Sequence, residues 1–242
     1  MPDEQTATTN EQSRRVREMF ATISGRYDLL NHLLSGNIDK KWRRLVAKTV
    51  YATLPGDEAK ILDVACGTGD LSITLLESGK AQVVGTDFCR PMLEIAASKA
   101  SRHRFRIPFI EGDALALPFR DNSFDATTIA FGLRNLTSVE AGFDELLRVL
   151  KPGGTVAVLE FSRPKTPVLR SLFRIYFTKL LPVFGGLISG SRSAYEYLPD
   201  SVSRFPDQKE LASIMVRAGF EAVTFRNLTG GIAALHLGTR PH

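Results

Sequence analysis

The sequence is poor in cysteine, in long apolar runs and in clustered histidine. Its 242 residues include two cysteines, Cys66 and Cys89, which excludes a disulfide scaffold and a cysteine-rich metal site. The longest apolar run, Leu180 to Ile188, is about half as long as a membrane-spanning helix requires. The polar N-terminus, Met1 to Arg17, lacks the apolar core of a signal peptide, so we expect a cytoplasmic protein. The four histidines show no ligand spacing, and no metal site is predicted.

Acidic residues are absent from one stretch of the chain. Residues 161–194 contain six lysines and arginines and no aspartate or glutamate, so this stretch has a formal charge of +6. The whole chain has a charge of +5, and the remainder therefore sums to −1. The stretch is also rich in aliphatic and aromatic residues, a combination typical of segments that lie on anionic lipid. A core helix with solvated charges is the alternative, because Arg170 and Lys179 do not fall on one helical face.

Short apolar runs alternate with segments of helical spacing along most of the chain. The predicted strands are Lys60–Ala65, Gln82–Thr86, Arg106–Glu111, Phe124–Ala130, Thr155–Phe161, Glu221–Arg226 and Ile232–Leu237. The predicted helices are Asp70–Ser78 with Asp70 as its cap, Pro91–Ala100, Ser138–Leu150 and Asp207–Ala218. This pattern predicts an α/β, Rossmann-like fold with a mostly parallel seven-stranded sheet that ends in an antiparallel hairpin.

The chain is predicted to form a single domain at residues 14–242 after a flexible tail at residues 1–13. Residues 14–50 should form a helical cap of two or three short helices, because Gly25 and Gly36 interrupt their apolar spacing. Residues 162–206, which include most of the basic apolar stretch, are expected to form an insertion before the last helix.

A glycine turn follows the first predicted strand. Gly67 and Gly69 let the backbone pass close under a ligand at the start of a helix. A purely structural turn and a dinucleotide site both use the same spacing. The third glycine of the dinucleotide fingerprint would fall at Ser72, however, and a pyrophosphate would not favour the acidic Asp63 inside the strand.

Carboxylates stand at the ends of three predicted strands. Asp63 could face a cation, Asp87 could accept both hydroxyl groups of a ribose, and Asp113 could accept the amino group of an adenine. A ribose, an adenine and a cation without phosphates together describe S-adenosyl-L-methionine. The spacing therefore predicts S-adenosyl-L-methionine as the cofactor, rather than a dinucleotide.

Further motifs resemble those of the menaquinone/ubiquinone biosynthesis C-methyltransferase family. The similar runs are Tyr27 to Asn31, Leu34-Ser35 with Trp42, Leu62 to Leu71, Phe131 to Asn135, Arg148 to Gly154 with Glu160 to Ser162, and Tyr195 to Val202. The resemblance covers about residues 16 to 240. Two positions depart from the family pattern: Leu30 replaces the usual Met, and Asp39 replaces the usual His, so the resemblance itself assigns no catalytic role to Asp39.

The resemblance implies the class I methyltransferase fold and methyl transfer to a ring carbon of a prenylated quinol. The implied reaction converts demethylmenaquinol to menaquinol, and a ubiquinone-pathway benzoquinol is the alternative acceptor. The cofactor contacts that carry over fall on Thr68, Asp87, Asp113, Ala114 and Ala130.

Carbon methylation requires a group that stabilises negative charge on the ring hydroxyl. For this role we choose Arg134, with Asn135 beside it, in the loop after the fourth strand. A salt-bridged or helix-capping arginine is the structural alternative. Tyr195 is a candidate catalytic group that positions the ring, as is Tyr197, although bare aromatic residues more often serve packing. The sequence does not identify the residue that acts as the general base.

The expected partners are a prenylated naphthoquinol and, through the basic apolar stretch, the inner face of a membrane as a peripheral contact. Alternatives are a methyltransferase for another small hydrophobic acceptor, an RNA methyltransferase, and a non-catalytic nucleotide-binding protein. Nucleic acid is not an expected partner, because the basic residues are interleaved with aliphatic ones. The sequence leaves open whether the protein is a monomer or a homodimer.

Overall fold

The computed structural model describes residues 4–164, 166–167, 170–171 and 192–242. Most of the basic apolar stretch at residues 161–194, and with it much of the predicted insertion, therefore lies outside the described residues. Among the described helices, none is long and apolar enough to cross a membrane.

The described elements alternate along the chain much as the sequence predicts. The helices are α1 (Glu4–Leu34), α2 (Ile38–Tyr51), α3 (Asp70–Ser78), α4 (Arg90–Arg102), α5 (Val139–Val149), α6 (Arg192–Arg204) and α7 (Gln208–Arg217). The strands are β1 (Lys60–Val64), β2 (Gln82–Asp87), β3 (Phe109–Glu111), β4 (Phe124–Ala130), β5 (Leu150–Phe161), β6 (Glu221–Leu228) and β7 (Ala233–Thr239).

One seven-stranded sheet has the strand order β3-β2-β1-β4-β5-β7-β6. Strands β1 to β5 are parallel, and β7 runs antiparallel between β5 and β6. This arrangement confirms the predicted α/β fold with its C-terminal hairpin. The order reverses between β1 and β4, and open α/β sheets bind ligands in the crevice at the carboxyl ends of such strands.

Both faces of the sheet are covered, which is why the apolar residues of β1 lie on both of its faces. Ile61 packs on one face in a cluster with Trp42 and Val46 of α2, and Leu62 packs on the other with Phe143 of α5. A parallel strand buried on both faces needs a continuous apolar run rather than alternation. The two cores therefore hold the carboxyl ends of β1 and β4 rigidly in place.

The first helix differs from the expectation. Helix α1 runs without a break from residue 4 to residue 34, so it includes Gly25 and most of the residues assigned to a flexible tail. One glycine costs a helix roughly 0.5–1 kcal/mol, which packing of the helix can offset. Gly36 does end the helical segment, because it adopts a φ of 59° between α1 and α2.

Other boundaries differ for local reasons. Asp70 does not cap α3, because Gly69 occupies the cap position and the Asp70 carboxylate pairs with Lys99 instead. Strand β3 begins at Phe109, three residues later than predicted. Helix α6 was not predicted, since Pro199 lies inside it and proline normally ends a helix.

Candidate active site

The glycine turn between β1 and α3 forms the floor of a cavity of about 370 Å³. Gly67 has a φ of 55°, and a Cβ atom built on it would meet no atom within 4 Å. Gly69 has a φ of 81°, and its Cβ would lie 3.0 Å from the Cβ of Ala96 in α4. Gly69 is therefore required for packing below the turn, whereas Gly67 leaves open space above it for a ligand.

Asp87 ends β2 at the edge of this turn and is buried. Its Oδ2 accepts the Gly67 N–H at 2.8 Å and its Oδ1 accepts the Cys89 N–H at 2.9 Å. Burial raises the pKa of Asp87 above its ordinary value, although these backbone donors oppose the rise. Acceptor positions remain on the carboxylate for the hydroxyl groups of a ribose.

Asp63 lies beneath the glycine turn, deeper in the protein than the sequence implied. Its Oδ2 accepts the Ser72 hydroxyl at 2.6 Å, and its Oδ1 accepts the hydroxyl of Thr128, its register neighbour in β4, at 2.8 Å. The residue is 1% exposed, and burial raises its pKa to about 6. Ser72, which the sequence analysis noted for the missing third glycine, thus holds this carboxylate beneath the turn.

The remaining predicted cofactor residues also line the cavity. Asp113 is exposed and accepts the Leu115 N–H through Oδ1 at 2.9 Å, while Ala114 beside it is buried. Ala130 lies at the end of β4, and the buried Thr68 donates its hydroxyl to Asp28 of α1 at 2.5 Å. The structure therefore brings the predicted cofactor set together at one edge of the sheet, with α1 above it.

Arg134 follows β4 in a short 3-10 turn and is paired with a carboxylate that the sequence analysis did not assign. Its Nη1 donates to both oxygens of Glu160, at 3.1 and 3.0 Å, and to the carbonyl of Phe131. Glu160 is 1% exposed, so the pair is buried. The buried Nε of Arg134 has no hydrogen-bond partner among the described residues. The salt-bridged alternative is therefore present, yet one donor of this cavity-lining side chain remains free.

Asn135 and Tyr197 join this end of the cavity. The Tyr197 hydroxyl donates to Oδ1 of Asn135 at 3.2 Å, and burial raises the Tyr197 pKa above its ordinary value. Tyr195 lies on the same helix, α6, but its side chain falls outside what the structure describes. The structure thus brings Tyr197 to the site.

Three aromatic rings line the part of the cavity between the glycine turn and Arg134. The ring of Phe131 lies 4.7 Å from that of Phe161 and 6.0 Å from that of Trp42, measured between centroids. Phe131 adopts a φ of 59°, a left-handed conformation that is costly for a bulky residue. Such strain often marks a functional site, and here it turns the chain at the end of β4.

Charged residues of α1, α2 and α3 form a network that the sequence did not predict. His32, Asp39 and Asp70 offer ligand atoms that all lie within 4.8 Å of one another. Arg43 pairs with Asp39 and Lys99 pairs with Asp70, so protein cations already balance these carboxylates. These residues are distant in the sequence and come together only when α1 and α2 pack against α3, so no local motif indicated the network.

Comparisons with known proteins agree with this geometry. A model of the ubiE/COQ5 methyltransferase family matches residues 7–240. The demethylmenaquinone methyltransferase of Thermus thermophilus is 50% identical over 224 residues, which are 92% of this chain and 100% of that protein. The ubiquinone/menaquinone biosynthesis C-methyltransferase UbiE of Geotalea uraniireducens is 44% identical over 235 residues, 95% of this chain and 98% of that protein.

Among solved structures, the crystal structure of the [4+2]-cyclase SpnF resembles this chain with a TM-score of 0.71 at 18% identity. The match covers 95% of this chain and 96% of that one. At this identity the likeness shows the fold alone.

Proposed function

The chain belongs to the ubiE/COQ5 methyltransferase family, and from this premise we propose that it methylates a ring carbon of demethylmenaquinol to give menaquinol. The family match confirms the predicted type of enzyme, a methyltransferase that uses S-adenosyl-L-methionine. The name of the Thermus thermophilus relative supports the choice of quinol. The observation that carries the proposal is a single cavity that joins a nucleoside-type turn to an aromatic wall.

The residues of the glycine turn fit S-adenosyl-L-methionine. Gly67 leaves room above the backbone, Asp87 offers acceptors to a ribose, and Asp113 keeps an oxygen for an adenine amino group. The negative charge of Asp63 beneath the turn favours a cation there. When bound, S-adenosyl-L-methionine supplies an electrophilic methyl group on a positively charged sulfur.

The aromatic residues Trp42, Phe131 and Phe161 form an apolar wall for a quinol ring. Flat rings bury a large area against such a wall and prefer offset or edge contacts with it. Holding the ring against the wall aligns its carbon with the methyl group, and alignment alone can supply several kcal/mol of the barrier.

Arg134 stabilises the negative charge that develops on a ring hydroxyl oxygen. Its free Nε–H is a buried donor, and a hydrogen bond made by a buried donor is stronger than one in water. Glu160 fixes the guanidinium by two hydrogen bonds, so that little reorganisation is needed when the charge appears. Arginine stays protonated in proteins, and this role is therefore that of a donor rather than of a base.

The membrane is the second part of the proposal. A prenylated quinol resides in a bilayer, and the stretch at residues 161–194 combines a charge of +6 with many apolar side chains. We expect the purified protein to sediment with vesicles that contain anionic lipid and to be released by salt. Equal binding to neutral vesicles would argue against an electrostatic contact.

To test the proposal, the purified protein is incubated with labelled S-adenosyl-L-methionine and each of three acceptors. These are reduced demethylmenaquinol, the benzoquinol of the ubiquinone pathway, and a bulk RNA preparation. Label in the naphthoquinol supports the proposal, whereas label in RNA, or in none of the three, contradicts it. The oxidised quinone is the matched control, because it cannot donate electron density from a hydroxyl group.

Methylation of a benzoquinol is the second candidate function. It is favoured by the relative from Geotalea uraniireducens, whose name includes both quinone pathways. The ratio of kcat/KM for the two quinols separates these functions, and a ratio near one would indicate an enzyme that serves both.

A further inference from the structure

We propose that Asp39 is the general base of the reaction and accepts the proton of a quinol hydroxyl group. This inference rests on the proposed function, because it names the group that receives a proton from the aromatic ring bound in the same cavity. It assigns a task that Arg134 cannot perform, since a protonated guanidinium has no acceptor.

Asp39 reaches the cavity from the first turn of α2. The residue is 4% exposed and lines the cavity together with Ser35, Trp42 and Arg43. Residues four apart on a helix share a face, which places the Arg43 guanidinium against the Asp39 carboxylate. A buried carboxylate thus stands beside the aromatic wall rather than in solvent.

Two polar groups flank the aromatic pair of Phe131 and Phe161. The Cζ atom of Arg43 lies 6.0 Å from the Phe131 ring, and that of Arg134 lies 5.4 Å from the Phe161 ring. The two rings lie 4.7 Å apart. A quinol ring bound against this pair lies between the sides of the cavity that hold Arg134 and Asp39. The hydroxyl group ortho to the methylated carbon is the one that both side chains serve, Arg134 as a donor to its oxygen and Asp39 as the acceptor of its proton.

Asp39 keeps a free acceptor position for that hydroxyl group. Its Oδ2 accepts Nδ1–H of His32 at 2.7 Å and a guanidinium N–H of Arg43, and its Oδ1 accepts the Ser35 hydroxyl at 2.7 Å. An ionised carboxylate has about four acceptor positions. Donors among the described residues occupy three of them, which leaves one on Oδ1 beside Ser35.

The other acidic residues that line the cavity serve other parts of it, and one of them, Asp113, is exposed beyond the end of β3. Both oxygens of Asp63 accept buried hydroxyl groups below the turn, and both oxygens of Asp87 accept backbone amides at the ribose end. Asp70 pairs with Lys99 and lies 3.5 Å from Arg43. Asp39 is therefore the carboxylate of this set that lines the cavity from the same helix as Trp42 of the aromatic wall.

The basicity of Asp39 suits a proton that becomes acidic during the reaction. Burial would raise the pKa of Asp39, but the Ser35 hydroxyl and Arg43 outweigh burial and hold that pKa below its ordinary value. The carboxylate therefore stays ionised at neutral pH. As the ring carbon bonds to the methyl group, positive charge spreads to the hydroxyl oxygen, and its proton then passes even to a weak base.

The step balances as follows. The hydroxyl O–H bond breaks and its proton moves to Oδ1 of Asp39, while the oxygen electron pair moves into the ring. The ring carbon forms a bond to the methyl group, and the electron pair of the broken S–C bond stays on sulfur. The ring carbon then loses its own proton to water, and the oxygen takes a proton back from Asp39, so that one proton is released overall.

The test compares Asp39→Asn with the wild-type protein on reduced demethylmenaquinol. Asparagine keeps the size of the side chain but cannot take the proton, and we expect kcat to fall by about 100-fold or more at pH 7. The KM for quinol and the Kd for S-adenosyl-L-methionine by calorimetry should change less than about threefold, since the cofactor end is untouched. Asp57→Asn is the matched control, because Asp57 is exposed and pairs with Lys80 on the surface.

The pH profile separates a base from a structural residue. The deficit of Asp39→Asn should shrink as pH rises toward the quinol's own ionisation, because an ionised ring needs no base. A deficit that is constant with pH, or an unchanged kcat, overturns the inference while leaving methylation of the quinol intact. Absence of quinol methylation in the wild-type protein would instead overturn the proposed function.

A second pair of variants covers a failure of Asp39→Asn to fold. Removing one member of a buried ion pair leaves the other charge unbalanced, so Asp39→Asn with Arg43→Gln removes both. Its activity is compared with that of Arg43→Gln alone, which retains the carboxylate. We expect the double variant to be slower by about 100-fold at pH 7, and equal rates overturn the inference.

Discussion

Asp63 is a buried charge that is held by two hydroxyl groups. Its folded-state pKa is raised from 3.8 to about 6 by burial, so between these pH values the folded protein binds a proton that the unfolded chain has released. The contribution of Asp63 to stability is therefore present at low pH and is lost as pH rises from about 4 to about 6. The site thus keeps a costly charge at neutral pH, which is consistent with a cationic ligand above it.

Asp63→Asn removes this cost. We expect the free energy of unfolding of the variant to increase relative to that of the wild type as pH rises from 4 to 7, by up to about 3 kcal/mol. Urea unfolding at several pH values measures the difference. A difference that does not change with pH would mean that the pKa of Asp63 is not raised. The same variant should bind S-adenosyl-L-methionine more weakly, because the negative charge is gone.

The role of Arg134 is best tested with a substitution that keeps a positive charge beside Glu160. Arg134→Ala would leave a buried carboxylate unpaired, at a cost of roughly 3–5 kcal/mol, and would confuse stability with turnover. Arg134→Lys retains the charge but lacks the Nε–H donor. We expect its kcat to fall about 100-fold or more while the affinity for S-adenosyl-L-methionine is unchanged. Arg217→Lys on the exposed face of α7 is the control, and wild-type turnover in Arg134→Lys would remove Arg134 from the chemistry.

At the scale of elements, substitution by alanine should have opposite effects on stability at two glycines. Gly25 lies inside the continuous α1 with no atom near its missing Cβ, whereas Gly69 has a φ of 81° and faces Ala96. Gly25→Ala should therefore stabilise the protein by about 0.5–1 kcal/mol through helix propensity. Gly69→Ala should destabilise it, because alanine would be strained at that φ and would crowd α4. Thermal unfolding of both variants checks the signs, and destabilisation by Gly25→Ala would indicate that α1 is broken at that point.

Helix α1 closes the site from above, which the spacing of apolar residues alone did not indicate. Asp28 on α1 accepts from Thr68 in the glycine turn and from Lys99 on α4, and Arg17 pairs with Glu111 at the end of β3. These contacts join the first helix to three elements of the sheet domain. The predicted helical cap thus contributes residues to the cavity itself.

At the scale of the whole molecule, the cavity draws its walls from most of the chain, from Ser13 on α1 to Ile232 before β7. A ligand bound there should stabilise the entire fold. S-adenosyl-L-methionine at 100 times its Kd should add about 2.7 kcal/mol, which raises the Tm of a domain of this size by roughly 5–10 °C. In Asp87→Ala the shift at the same concentration should be much smaller, and in Asp57→Ala it should match wild type. A full shift in Asp87→Ala would contradict its role at the ribose.

The sequence alone determined the order along the chain of the strands and of the helices other than α6, because apolar periodicity and glycine turns are local properties. It also predicted that Asp63, Asp87 and Asp113 lie together, since parallel strands bring their carboxyl ends to one edge, and all three line the cavity. The family resemblance rests on motifs equally local, such as Phe131 to Asn135. Boundaries were less well predicted where a neighbour decides them, as at Asp70, which pairs with Lys99 rather than capping its own helix.

Only the tertiary structure decided which side chains face one another. Glu160 reaches Arg134 across 26 positions of sequence, and Thr128 reaches Asp63 across 65. Trp42 of α2 lies 6.5 Å from Phe161 of β5 between ring centroids, a contact that no spacing within α2 encodes. Ion pairs and acceptor positions depend on distances of a few ångströms between remote residues, and such distances exist only once the two cores have formed.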